Sequence, residues 1–188
     1  FERVWERTDQ PVADEVEART WIWGPGGFSD LIVEEYVDAD GGEREVQYFD
    51  KSRMEMPISE QDAMDNEGSP WVITQGLLAT ELMTGQLQLG HDSFENHAPS
   101  ERSAAGDPED VTAPTYAVLG ELMDRPAREA GGVIIEHADR DGNITTDADR
   151  FEGYGVTDVG DAFTPQEGIS HNIASVFWDF MRSEATVY

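Results

Sequence analysis

The chain has no cysteine and a single lysine, Lys51, and sets 12 basic side chains against 40 acidic ones in 188 residues. Without thiols there is no disulfide framework, no thiolate zinc or iron–sulfur centre and no cysteine nucleophile. The shortage of positive charge, a formal net of −28, denies the chain the clustered Lys and Arg that phosphate backbones and anionic lipid surfaces require. Nucleic acid is therefore not expected as a partner. Long apolar runs are missing too: none approaches the ~20 residues that cross a bilayer, so no membrane insertion is expected, and no basic-then-apolar leader opens the sequence. The first residue is Phe1, as in a processed secreted protein or an excised fragment. No G-x-S-x-G elbow is present either, which leaves acyl-transfer chemistry without an anchor.

What is there is 38% hydrophobic, in a chain long enough to bury about 70% of its unfolded surface without a staple. The acid surplus favours solubility, cation accumulation, basic partners or a saline setting in which screening relieves self-repulsion.

Periodicity supplies the elements. Phe1, Val4 and Trp5 mark one helical turn before Pro11. From Arg19 the pattern turns to period two in RTWIW, which predicts a strand with Trp21 and Trp23 on one face. Residues 31 to 50 read as a β-hairpin closed by DADGG. Ser69 as N-cap and Pro70 at the first turn predict a helix from Pro70 to Thr84 with Gly85 as terminator, then a short strand QLQL. Residues 90 to 114 lack periodicity and read as a long loop. A short helix is expected over 114 to 124, a second hairpin from VIIEH (133 to 137) and NITT (143 to 146), and an amphipathic helix in HNIASVFWDFMRSE, with Ile173, Val176, Phe177 and Phe180 on one side. The expected fold is α+β, two β-hairpins packed against two or three helices in one compact domain over 1–188, with 1–90 and 115–188 as candidate lobes joined by the loop 91–114.

The strings VQYFDKSRMEM (46 to 56), PWVITQGLLATELMTGQLQLG (70 to 90), AGDPEDVTAPTY (105 to 116) and SHNIASVFWDFM (170 to 181), with FERVWERTDQPV at the start, cover most of the chain. Together they resemble uncharacterised secreted or cell-surface proteins of filamentous green non-sulfur bacteria, which are distantly similar to LGFP-type cell-wall repeats. The resemblance implies export and a surface setting, and carries no established activity with it.

Two clusters compete for a site. Trp21 and Trp23 serve either as core or as a platform for a sugar ring, and so large an apolar area favours the core. DRDGNITTD presents Asp139, Asp141 and Asn143 like the start of a calcium loop, but Ile144 stands where that loop needs glycine and Arg150 where it needs a bidentate Glu. A hairpin turn accounts for Asp-Gly more simply, with room left for weak calcium binding and no other cofactor expected. His91 and His97 lack the spacing of a helical or strand metal pair, and read as a surface loop. Glu45, Asp50 and Glu55 read as a solvated face, and Arg44 and Arg53 as structural ion pairs worth little where exposed.

The sequence thus points to a secreted or surface-displayed binding or assembly module, self-associating as a homo-oligomer or filament, and leans away from catalysis. The alternatives are a carboxylate-based hydrolase or a carbohydrate-binding module acting on extracellular polysaccharide.

Overall fold

In a computed structural model the described residues are 1–50, 52–56, 72–105, 110–126, 128–129, 131–157 and 172–185. They form an α+β arrangement of short helices and antiparallel hairpins. The chain divides into two compact units, Phe1–Ala98 and Pro99–Glu184. None of the described helices is long and apolar enough to cross a membrane.

In the first unit, α1 (Glu2–Thr8) runs into α2 (Gln10–Ala13), whose first turn holds Pro11. Pro11 opens this second helix because a first-turn residue has no intrahelical N–H bond to lose. The hairpin expected at 31 to 50 forms as β1 (Ile32–Glu35) and β2 (Glu43–Tyr48), closed by a 3-10 turn at Asp40–Gly42. Antiparallel β3 (Arg53–Met56) and β4 (Thr74–Gln75) extend it to a four-stranded sheet in the order β1-β2-β3-β4.

The expected helix from Pro70 to Thr84 is shorter. Ser69 and Pro70 lie outside the described residues, Thr74–Gln75 is strand, and α3 spans only Leu78–Thr84. A backbone bond fixes the change: the Gly76 N–H donates to the Arg53 carbonyl at 2.8 Å, holding this segment to the sheet. Gly85 does end the helix, at φ 72°, in the left-handed region that glycine tolerates best. QLQL becomes β5 (Gln86–Gln88). Its partner β6 (Phe94–Asn96) lies inside the stretch read as loop, all three residues exposed.

In the second unit α4 (Tyr116–Glu121) starts at Thr115, whose side-chain oxygen accepts the Val118 N–H at 3.2 Å. The second hairpin forms as β7 (Glu136–Ala138) and β8 (Ile144–Thr146). The last helix begins later than expected. Ile173–Ala174 is β10, paired with β9 (Val156–Thr157), and α5 covers Ser175–Met181.

Strand alternation sorts the sheet of the first unit into two unlike faces. The register places Glu34 opposite Arg44, Val46 opposite Glu55 and Tyr48 opposite Arg53, all on one face. The other face carries Val33, Glu45, Gln47 and Met54. Met54 joins Trp23 and Phe49 in the apolar core, against which Phe1, Val4 and Trp5 of the α1 region and Ile73 pack. Each large side chain buried there contributes about 1.5–3 kcal/mol.

Candidate functional site

The polar face of the sheet holds two buried arginines. Arg53 donates to both oxygens of Glu81 on α3, from Nη1 at 2.7 Å and Nη2 at 2.9 Å, and from Nε to Glu55 at 2.7 Å. Arg44 meets Glu55 at 3.2 Å and Glu34 at 3.4 Å, donates to the Gln88 carbonyl at 3.0 Å, and lies 4.8 Å from the Tyr36 ring centroid. Glu34 in turn accepts the Tyr48 hydroxyl at 2.7 Å. Two unpaired guanidinium groups could not be buried this deeply, whereas shared carboxylates and a cation–π contact offset their desolvation. Burial would lower the Arg53 pKa, but Glu81, Glu55 and Tyr48 outweigh it and raise it, so the charge is fixed. Burial raises the Tyr36 pKa; burial and then the bond to Glu34 raise that of Tyr48.

Glu55 therefore does not belong to a solvated face: it is 7% exposed, while Asp50 is exposed and Glu45 half-buried. The signal for this was present. Arg44 shares strand parity with Val46 and Tyr48, which turns it inward with them.

The expected strand at RTWIW does not form. The Asp9 carboxylate, fully buried, accepts the backbone N–H groups of Ile22, Trp23 and Gly24 at 2.9, 2.6 and 3.1 Å, and Arg19 lies beside it at 3.5 Å. Consecutive donors aimed at one carboxylate cannot alternate as a strand requires. The two tryptophans consequently part. Trp23 enters the core, with its ring centroid 5.9 Å from that of Phe49, and Trp21 is half-buried in the loop.

On the apolar face of the sheet, beside α1, lies an open cleft of about 480 Å³. Among the described residues Phe1, Glu2, Trp5, Leu31, Gln47 and Phe49 line it together with Gly26 and Gly27. The Trp5 indole N–H donates to the Gly24 carbonyl at 2.8 Å. None of these residues was singled out by motif, since three apolar residues in one helical turn look like ordinary packing.

The third feature is an edge of β1 that no other described strand pairs with. The Tyr36 N–H bonds across to the Gly42 carbonyl at 2.8 Å, so by alternation the N–H groups of Ile32 and Glu34 point inward to β2, and those of Val33 and Glu35 point out. Further along, the edge is closed by the Val37 N–H bonding to the Leu89 carbonyl at 2.8 Å. Beside the open part, Phe28, Leu31, Ile32 and Val33 are all exposed, Phe28 at 77%.

Asp139, Asp141 and Asn143 come together as a turn. Asp139 accepts the Asp141 and Asn143 backbone N–H groups, each at 2.9 Å, and the Asn143 side-chain amide at 3.0 Å. The Asn143 side chain, then its backbone N–H, lower the Asp139 pKa. Its lone pairs thus face donors within its own loop. His91 pairs with Asp38 at 3.0 Å and His97 with Glu95 at 3.4 Å. Among the described residues no three His, Asp or Glu side chains converge as a metal site needs.

No family model, curated protein or solved structure matches the chain.

Proposed function

We propose that this chain is a non-catalytic binding and assembly module, displayed outside the cell, that pairs with further copies of itself through the outer edge of β1. The observation that carries the reading is that edge: outward N–H groups at Val33 and Glu35 beside the exposed side chains of Phe28, Leu31, Ile32 and Val33. Such an edge is a ready template for strand pairing, and proteins that must avoid pairing cover it or guard it with charge. Glu35 is the only charge on the outward positions, and with a net charge of −28 two copies approach only when salt screens them or a hard cation such as calcium bridges their carboxylates. The export implied by the sequence resemblance belongs to the same proposal.

The buried acids support this over the hydrolase alternative. A general acid needs a carboxyl with a raised pKa. Glu34, Glu55 and Glu81 are instead bound to guanidinium groups, and the described carboxylates with shifted pKa values, Asp38, Asp110 and Asp139, are all shifted down. The burial of Trp23 likewise counts against a sugar platform built from the two tryptophans.

Light scattering from low salt to about 1 M NaCl, where the Debye length falls to about 3 Å, with and without calcium, tests the proposal. Defined oligomers are expected to grow in as salt rises. Val33→Pro removes an outward N–H while leaving the ladder to β2 intact, a substitution that edge strands tolerate, and should keep the chain monomeric with an unchanged circular dichroism spectrum. A monomer under every condition overturns the reading, as does assembly that Val33→Pro leaves untouched.

A further inference from the structure

Given the self-pairing through β1 proposed above, on which this inference rests, the residues along the strand decide how two copies meet. The outward N–H groups belong to alternate residues, Val33 and Glu35. When one edge meets the same edge of a second copy antiparallel, about a two-fold axis, every donor of one strand finds an acceptor on the other and the reverse holds as well. The axis must pass through a residue, because an axis between two residues would set outward-facing groups against inward-facing ones. On β1 (Ile32–Glu35) that leaves an axis at Ile32, Val33, Glu34 or Glu35.

Charge separates these registers. An axis at Glu35 sets that carboxylate directly opposite its own copy, and an axis at Glu34 does the same for Glu34. An axis at Ile32 brings Glu34 opposite Asp30, which is exposed just before the strand. Like charges directly opposite one another are destabilising, and β1 carries no basic residue to relieve them. With the axis at Val33 no like charges meet: Val33 faces Val33, Ile32 faces Glu34 and Leu31 faces Glu35. Leu31, Ile32 and Val33 are 51%, 41% and 53% exposed, so each has apolar area left to bury in that contact. Glu34 already accepts the Tyr48 hydroxyl and lies beside Arg44, which balances its charge within its own copy. We propose that β1 pairs antiparallel with β1 of one second copy about a two-fold axis through Val33, giving a closed dimer in which the sheet runs on from copy to copy. The contact is isologous and consumes the same edge of both chains, so growth through it stops at two.

The lack of cysteine lets introduced thiols report the register. Val33→Cys sets two thiols across the axis on residues whose Cα atoms are about 5.5 Å apart in a hydrogen-bonded pair, inside the roughly 4.4–6.8 Å that a disulfide spans. Under the salt that assembles the parent, mild oxidation should convert this variant to a covalent dimer, with an unchanged circular dichroism spectrum. Leu31→Cys and Glu35→Cys should each fail to cross-link alone, since each stands about 13 Å along the strand from its own copy at about 3.4 Å per residue. Mixed, they should cross-link to each other. Light scattering of the parent should give the mass of two chains and no more. If the parent assembles, this register is overturned by a Val33→Cys chain that stays reduced or cross-links equally well at low salt, by Glu35→Cys cross-linking alone, by a mixture that does not cross-link, or by assemblies larger than two. Assembly itself survives each of those results. A parent that stays monomeric at every salt concentration overturns both the register and the reading beneath it.

Discussion

Arg53 grips Glu81 through two parallel hydrogen bonds, Nη1 to Oε2 at 2.7 Å and Nη2 to Oε1 at 2.9 Å, across 28 residues of chain. The pair ties α3 to the middle of the sheet, and through Glu55 it is continuous with Arg44 on the neighbouring strand. Such a network contributes less as net attraction than as a constraint: its members share counter-charges, so removing one leaves the others with fewer partners in a buried site.

Removing one partner should therefore be costly. Glu81→Gln keeps the shape and leaves Arg53 facing a neutral amide with Glu55 as its remaining counter-charge, and the expected loss is about 1.5–3 kcal/mol, the scale for hydrogen bonds to a charged group. Arg53→Lys should also destabilise, because an ammonium cannot reproduce the fork that meets both oxygens of Glu81 and Nε to Glu55. Urea unfolding of the two variants measures both losses. If either stays within 0.5 kcal/mol of the parent, a range typical of surface substitutions, the network has no structural weight.

Gly76 is the narrow point of the same arrangement. A Cβ there would stand 2.7 Å from the Glu55 Cδ and 2.9 Å from the Arg53 Nε, so Gly76→Ala must push the ion pair aside. The expected cost is about 1–3 kcal/mol, as for overpacking a filled site. Because the substitution acts on the same groups as Arg53→Lys, the double variant should lose less than the sum of the two single losses. Additive losses would show that the two residues act independently.

These residues also mark where the sequence is readable and where it is not. The hairpin at 31 to 50 is legible because alternation and a turn-forming DADGG agree, and Gly85 is legible because a helix end demands a left-handed residue. RTWIW has flawless alternation and is no strand, since the decisive partner, Asp9, sits in another segment and takes three successive N–H donors. The apolar spacing of Val72, Ile73, Gly76 and Leu77 suggests a helix for a similar reason: nothing local shows that Gly76 bonds to Arg53 on β3. β6 is invisible because its pairing to β5 is made by backbone alone, with all three side chains exposed. The α1 half of the cleft could be noted only as apolar residues in one turn, and its closure by Gln47 and Leu31 depends on long-range packing.

Asp9 gives the third prediction. Its carboxylate is the acceptor for the N–H groups of Ile22, Trp23 and Gly24, the last two of them buried. Asp9→Ala leaves buried donors unsatisfied, at about 1–3 kcal/mol each before relaxation, and frees the loop that seats Trp23. Asp9→Asn retains one acceptor oxygen and should lose less. Thermal melts of both variants, with near-ultraviolet circular dichroism to follow Trp23, check the order. Equal melting points for parent and Asp9→Ala would refute the role of Asp9 as the loop's anchor.

The tyrosines set an alkaline limit. Burial raises the Tyr36 pKa above its ordinary 10.0, and burial followed by the bond to Glu34 does the same for Tyr48. A raised pKa means that the folded chain holds these protons more tightly than the unfolded one. The stability they lend is complete below the unfolded value near 10 and falls as pH climbs through the folded values. Unfolding free energy should hence decline above about pH 10, and absorbance titration near 295 nm should show phenols ionising later in the folded chain than in urea. Tyr48→Phe should flatten the decline but take from Glu34 the hydroxyl that it accepts at 2.7 Å, leaving it Arg44 at 3.4 Å, so this variant starts from a lower stability at neutral pH. Titration curves that coincide in the folded and unfolded chain would mean that the two rings see water, contrary to their place against Arg44 and Arg53.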